Sequence, residues 1–439
     1  MGEGPTLNHF TGITSAVIAR AAQTQGTPFY LYDRETIIDR CAQALAMPNA
    51  YGLTVRYAMK ANSNASLLRL ISSQGLKIDA SSMNEVRRAN LADIPYGDMI
   101  LTTQELPLGE DKEDLKQMMK GGLLYNVCSL LQLENIGDFA AQEGINLSLR
   151  YHPGVGSGES ASRNTGDNYS CFGVHEMDLP KALDYARSKG IRFTLVHVHI
   201  GSGGDPTAWR DNIDLELGVI EKYFPQAEGV NFGGGLKVAR MPDEKAADIQ
   251  QLGLYAKEKI EAFFKRTGRK LHMEIEPGTF IIAQGGYIVT RIADKKSTGG
   301  EGLNFLVLDG GMELNSRPLL YGARHPFSLV SAQGELLSSD SITPPEQLSY
   351  EAVPVGRCCE SGDAQSLDDT GRSLPRRMAE PQVGDYLVIG GAGAYCASMS
   401  PMNYNSHVQV PELLYTQGTD TLELIRKRQT LAQIIMNEL

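Results

Sequence analysis

The chain has 439 residues and a formal net charge of -11. That length accommodates two domains with a large core. The acidic balance, without any polybasic run, gives nonspecific nucleic-acid binding no electrostatic support.

Taken in chain order, "GTPFYLYDRETI" (26–37) reads as a strand followed by a helix starting at Asp33. Short β-branched and apolar runs then recur: "TVRYAMK" (54–60), "LKIDASS" (76–82), "DMILTT" (98–103), "LLYNVCS" (123–129), "NLSLRYHP" (146–153), "FTLVHVHIGS" (193–202), "GVNFGGG" (229–235) and "HMEIEPG" (272–278). Helix formers separate them, as in "SLLRLISSQG" (66–75), "MNEVRRANLA" (83–92) and "LGLYAKEKIEAFFKRTG" (252–268). Strands alternating with helices predict right-handed βαβ units and a parallel sheet. Eight such units close into a (β/α)8 barrel. After about residue 285 the sequence becomes alternating and turn-punctuated, which predicts a mostly β domain. The expected division is a barrel over 35–285 and a β-rich domain built from 1–34 and 286–439, with the first strand given to the second domain. The polar loop at about 362–380 reads as exposed.

No apolar run reaches the roughly 18–20 residues of a membrane helix. The first residues lack a basic segment followed by a long apolar one, so a cytoplasmic protein is expected. The six cysteines form no paired C-x-x-C units. Free thiols and no metal are expected from them.

In a (β/α)8 barrel the C-terminal ends of the strands build the active site. Here those ends carry Lys60, Asp79, Arg150, His199, the glycines 233–235 and Glu276. A lone lysine at a strand tip is ordinarily a solvated side chain. Its companions point elsewhere. The glycine-rich turn lets backbone N–H groups approach an anion, and late-strand barrel loops commonly hold phosphate. Glu276 offers a carboxylate to a ring nitrogen, and His199 a flat ring for stacking. His197, two residues away, shares that face; either histidine could be a satisfied interior residue. An amine, a phosphate cradle and an acidic ring partner are the requirements of pyridoxal 5'-phosphate.

The stretches "YAMKANSN", "HVHIGSG", "NFGGGL", "EIEPG", "SRPLLYGARH", "CESGD" and "GAGAYCASMS" follow one another in this order. In them the chain resembles the fold-type III pyridoxal-phosphate decarboxylases of the diaminopimelate, ornithine and arginine group, from about Thr27 to Leu439. The resemblance implies an alanine-racemase-like barrel with a second, mostly β domain. It implies Lys60 as the lysine bound to the cofactor, His199 as the stacking ring, and Arg150, Ser202, Gly234, Gly235, Gly278 and Tyr395 as further cofactor contacts, with Glu276 on the pyridine nitrogen. Cys359 and Glu360 correspond to a pair contributed from the other subunit, the cysteine acting as acid and the glutamate contacting substrate. Arg317 and Tyr321, with Tyr395, correspond to substrate-binding residues. A homodimer with shared active sites and a small amino-acid substrate follow from the same resemblance, with no nucleic-acid or membrane partner.

One departure stands out. The diaminopimelate decarboxylases read "EPGR", whereas this chain reads "EPGT" with Thr279. A hydroxyl cannot make the bidentate charged pair that an arginine makes with a carboxylate. Arg324 and Arg163 are the candidate replacements. The expected reaction is decarboxylation of meso-diaminopimelate to L-lysine. The alternatives are a relative acting on a different or modified diamino acid in natural-product or siderophore synthesis, a pyridoxal-phosphate racemase, and a non-catalytic cofactor-binding homologue.

Overall fold

The computed structural model describes residues 7–8, 11–156, 165–201 and 206–439. The chain divides into two compact units. One comprises Arg40–Val238 and Ala246–Ile281; the other comprises Met1–Asp39, Ala239–Lys245 and Ile282–Leu439. The first strand, β1 (Phe29–Asp33), falls in the second of these.

The first unit is the barrel. Its strands are β2 (Leu53–Ala58), β3 (Lys77–Ala80), β4 (Met99–Leu101), β5 (Leu124–Val127), β6 (Leu147–His152), β8 (Phe193–His197), β9 (Gly229–Asn231) and β10 (His272–Ile275). A short strand, β7 (Val174–His175), adds to the outside of β6 and has no counterpart in the sequence reading. The sheet runs β5-β4-β3-β2-β10-β9-β8-β6, and β5 pairs with β6 to close it. All the pairings are parallel. Each of the eight strand-like runs between 54 and 278 is therefore a barrel strand, and the expected closed barrel is present.

The barrel strands alternate in character. Val55, Tyr57, Ile78, Leu149, Val196, Val230, Met273 and Ile275 are buried apolar residues. Between them stand buried polar ones: Arg56, Asp79, Asn126, Ser148, Arg150, His197, Asn231 and Glu274. Successive strand residues face opposite sides, so this alternation gives one polar and one apolar face. The contacts described below join the polar residues to one another across the barrel, which identifies theirs as the inner face.

The second unit is mostly β. Its further strands are β11 (Gly286–Ser297), β12 (Asn304–Leu308), β13 (Phe327–Val330), β14 (Leu336–Ser339), β15 (Tyr350–Val355), β16 (Arg376–Met378), β17 (Tyr386–Ile389), β18 (Glu412–Thr416) and β19 (Thr421–Arg426). They form one sheet with β1, ordered β14-β13-β17-β11-β1-β18-β19, and β12, β15 and β16 branch from β11. β1 lies antiparallel to β11 and parallel to β18, so the strand at the start of the chain is completed by strands near its end. A helix absent from the sequence reading, Ser15–Gln25, closes one face of this sheet. Its Val17, Ile18 and Ala21 join Phe29, Leu31, Tyr287, Val289 and Leu413 in one core.

Two features depart from expectation. Ala239–Lys245 lies inside the stretch read as barrel, yet it belongs to the β unit. There Arg240 Nε donates to the Gly391 carbonyl at 2.9 Å, and Arg324 pairs with Asp243 at 2.8 Å. The segment at 362–380, read as an exposed loop, is in part interior: Asp363, Ala364, Gln365 and Ser366 are buried, and Arg376–Met378 is a strand paired with β15.

Inside the barrel Arg56 and Glu274 form a bidentate ion pair, with Nε to Oε2 at 2.6 Å and Nη2 to Oε1 at 2.9 Å. Both residues are buried. Removing one partner of such a pair leaves an uncompensated interior charge. Glu274→Ala is expected to destabilise the protein by about 3–5 kcal/mol in denaturant titrations. Replacing both, Arg56→Met with Glu274→Leu, is expected to recover most of that loss.

Candidate active site

Lys60 follows β2 directly. The strand ends at Ala58, and Met59–Ala61 turn in a short 3-10 helix. Val55, Tyr57 and Met59 are buried while Lys60 is exposed, so its ammonium group emerges where the strand leaves the barrel. The turn is held from below: Tyr57 Oη donates to the Asn62 carbonyl at 3.0 Å, and Ala58 N donates to the Pro277 carbonyl at 3.3 Å. Gly278 packs here as well; a Cβ on it would lie 3.1 Å from Ala61 Cβ. The charge of Lys60 acts on Asp79, Glu85, His199 and Glu276, which surround this rim. Asp79 is 2% exposed, and burial, reinforced by Glu276, drives its pKa well up.

Glu276 stands just beyond β10 and is 7% exposed. Asn231 Nδ2 donates to its Oε1 at 2.7 Å, and His197 Nε2 lies 3.3 Å from its Oε2. The orientation of His197 is set from behind. Ser148 Oγ donates to Asn126 Oδ1 at 2.8 Å, which turns the Asn126 amide NH2 toward Thr102 Oγ1 at 3.0 Å and His197 Nδ1 at 2.9 Å. An acceptor at Nδ1 leaves the ring proton on Nε2, facing Glu276. Burial alone pushes the Glu276 pKa up, but His197 first, then Lys60, outweigh it and hold the carboxyl well below its usual range. Glu276 is thus a buried carboxylate that stays ionised. His197 is the satisfied interior histidine of the pair.

Asn231 does a second job. Its Oδ1 accepts the Gly233 N–H at 2.9 Å, so one side chain ties the acid to the glycine turn. Gly233 and Gly235 have φ of 66° and 94°, the left-handed region that favours glycine. A Cβ on Gly234 would lie 2.6 Å from the Glu276 carbonyl oxygen, and one on Gly235 2.7 Å from the Gly201 carbonyl oxygen. Gly234 N donates to His199 Nδ1 at 3.1 Å, so this amide holds the imidazole. Burial, then the charges of Arg150 and Lys60, push the His199 pKa well down and keep the ring neutral. Arg150, 7% exposed within β6, lies over the Phe172 ring with 4.9 Å from Cζ to the centroid. Ser202 and Arg163 lie outside the described residues.

The donor set fits pyridoxal phosphate. The turn at 233–235 is a cradle that any side chain would fill, and beside it stand an ionised interior acid, a neutral imidazole and a lysine at the strand end. The N–H groups of Gly233 and Gly234 are engaged by Asn231 and His199.

The remaining predicted residues belong to the β unit. Arg317 opens the helix Arg317–Tyr321 and is 1% exposed, its Cζ 6.0 Å from the Tyr321 ring centroid. Tyr321 Oη lies 3.5 Å from Met399 Sδ. Tyr395 has a φ of 58°. Cys359 and Glu360 are exposed, whereas the neighbouring Cys358 is buried. Burial, then Glu313 and Asp363, push the Cys358 thiol far up, which makes it inert. Arg324 pairs with Asp243 and Glu244 of its own unit.

Glu313, Cys358 and Asp363 lie close enough together to hold a cation. Their oxygens are engaged otherwise. Asp363 accepts Met312 N at 2.6 Å and Cys358 N at 2.8 Å; Glu313 accepts Arg357 Nε and Gly311 N, each at 2.9 Å. The cluster locks the loop that carries Cys359. Sequence reasoning missed it, as it missed Asn126 and Asn231. Of these only Asn231 had a signal, its place directly before the glycine run.

The family description "Pyridoxal-dependent decarboxylase, pyridoxal binding domain" matches residues 34–283. With the geometry above, the chain belongs to the pyridoxal-dependent decarboxylases and is a lyase using that cofactor. Within that family it is similar end to end to diaminopimelate decarboxylases. It is 33% identical to the Escherichia coli K12 enzyme over 98% of both chains, and 31% identical to that of Streptomyces coelicolor over 96% of this chain and 91% of that one. A solved diaminopimelate decarboxylase superposes with a TM-score of 0.86 at 31% identity, covering 99% of each chain. The Helicobacter pylori enzyme, solved with L-lysine, gives 0.76 at 27% identity over 95% of this chain and 98% of that one.

His197→Leu removes the largest support for the ionised Glu276 and keeps the site buried. The Glu276 pKa should then rise, so cofactor affinity is expected to fall and to weaken further as pH drops from about 8 toward about 5. Fluorescence titration of the apoprotein with pyridoxal phosphate at several pH values measures this. An affinity as flat with pH as that of the unaltered protein would contradict it.

Proposed function

We propose that the protein decarboxylates meso-diaminopimelate to L-lysine and CO2. The observation that carries this reading is the end-to-end similarity to diaminopimelate decarboxylases, 33% identity over 98% of both chains. Lys60, Glu276, His199, Arg150 and the turn at Gly234 and Gly235 would hold pyridoxal phosphate, with Ser202, Gly278 and Tyr395 as further contacts. When bound, that cofactor supplies an electron sink for the pair released as the carboxylate leaves.

The chain's own groups have separable tasks. Glu276, ionised and buried, accepts a charge-assisted hydrogen bond from the pyridine N–H and keeps that proton in place. Neutral His199 offers a flat face without adding a competing cation. Arg317 and Tyr321 orient the distal end of the substrate, and Glu360 contacts the substrate. The Cys359 thiol gives its proton to the carbon that has lost CO2, a general-acid step that needs a positioned donor. Cys359 and Glu360 serve the site of a second copy of the chain, so the active form is a homodimer. In this reading the enzyme is cytoplasmic. Among the described residues no helix is long and apolar enough to cross a membrane.

A second reading rests on Thr279, which begins the helix Thr279–Ile282 at the position of the family arginine. In it the reaction is the same but the substrate is a different or modified diamino acid.

Purified holoenzyme given meso-diaminopimelate is expected to release CO2 with stoichiometric L-lysine. Gas only from another diamino acid favours the second reading, and epimerised substrate without gas overturns decarboxylation. Lys60→Ala is expected to abolish the visible absorbance of covalently held cofactor; an unchanged spectrum removes the lysine from its role. Thr279→Arg is expected to improve kcat/KM for diaminopimelate by about 10-fold or more if the threonine marks a changed substrate, one charged hydrogen bond being worth about 1.5–3 kcal/mol. Unchanged or poorer kinetics count against that change.

A further inference from the structure

We propose that Asn405 is a positioning residue that sets the Cys359 thiol for proton delivery. The inference rests on the role given to Cys359 above and adds to it the device that holds the thiol in place.

Six non-glycine residues among those described have positive φ, and three of them fall within one turn: Asn403 at 61°, Asn405 at 49° and Ser406 at 60°. Such conformations are unfavourable for most residues with a Cβ, least so for asparagine; that of Ser406 persists where surrounding contacts over-determine it. The side chains of the turn's two middle residues reach the Cys359-Glu360 pair. Asn405 Oδ1 accepts the Cys359 N–H at 2.8 Å, and Tyr404 Oη lies 3.4 Å from Glu360 Oε2. Asn403 anchors the turn, its Nδ2 donating to the His407 carbonyl at 3.0 Å and to Gln429 Oε1 at 2.6 Å.

The other side of the pair is held independently. Asp363 Oδ2 accepts the Cys358 N–H at 2.8 Å. Two consecutive peptide N–H groups, those of 358 and 359, therefore end on side-chain acceptors from different segments. That fixes the backbone leading into the Cα of Cys359, although its side chain is exposed and contributes no buried core surface. Packing does not explain a strained turn that clamps an exposed residue. A proton donor that must meet one carbon does.

The test compares steady-state kinetics of holoenzyme variants on meso-diaminopimelate. Asn405→Gly keeps the left-handed backbone accessible and deletes the acceptor. It is expected to lower kcat by about 10- to 100-fold, the scale of a misplaced catalytic group, with KM and the thermal unfolding midpoint nearly unchanged. Asn405→Asp retains an acceptor oxygen and is expected to recover most of that loss. In a Cys359→Ala background, Asn405→Gly is expected to cost nothing more, because the amide acts only through the thiol. A wild-type kcat in Asn405→Gly, or a further loss in the Cys359→Ala background, overturns the clamp. Full kcat in Cys359→Ala alone overturns the thiol's role and the clamp with it, whereas a slow Cys359→Ala beside a fast Asn405→Gly overturns the clamp only. If Asn405→Gly does not fold, hydrogen exchange on the unaltered holoenzyme decides. The Cys359 amide is expected to be protected despite its exposed side chain, and exchange at the rate of an open loop overturns the proposal.

Discussion

A buried carboxylate that remains charged is the constraint around which the barrel interior is arranged. Glu276 has left bulk water, and burial by itself would neutralise it. The charge survives because Asn231 and His197 face its two oxygens, and because Asn126, Ser148 and Thr102 orient His197 in turn. These residues come from separate strands around the barrel, so the acid's ionisation is a property of the closed sheet. The same Asn231 fixes the first amide of the glycine turn, which couples the charge to the shape of the cradle.

Polar residues inside and apolar residues outside reverse the simplest picture of a core. The inversion is tolerated where interior charges are paired or neutralised, since an unpaired interior charge costs several kcal/mol. Arg56 with Glu274 meets that demand by a bidentate geometry. Glu216, on the inner face of the helix Pro206–Tyr223, meets it differently: burial, with Glu276 next in order, raises its pKa so far that it is held as a neutral acid. Three acids in one unit thus take three routes: ion pairing, stabilised ionisation and neutralisation.

In the β unit the same physics acts on the backbone. The loop carrying Cys358 and Cys359 has little apolar surface to bury, so its conformation is set by side-chain acceptors on its N–H groups, from Asp363 on one side and Asn405 on the other. The two cysteines differ sharply because of it. Cys358, beside Glu313 and Asp363, is buried and resists ionisation; Cys359 is turned outward.

The sequence alone determined the order of strands and helices, and with it the closed barrel. Period-two patterning and loop composition are local properties that survive without tertiary information. It also determined about where the strands end, because the apolar alternation stops there, so Lys60 and Glu276, just past β2 and β10, were legible for that reason. Tertiary structure decided what pairing across strands decides. It separated His197 from His199, two residues that look alike in sequence and meet different neighbours. It placed the helix Ser15–Gln25 on a sheet completed by strands almost 400 residues later, moved Ala239–Lys245 to the β unit, and buried Asp363 within an apparently exposed loop. Those outcomes depend on contacts between segments distant in the chain, and no local pattern of residues encodes the partner.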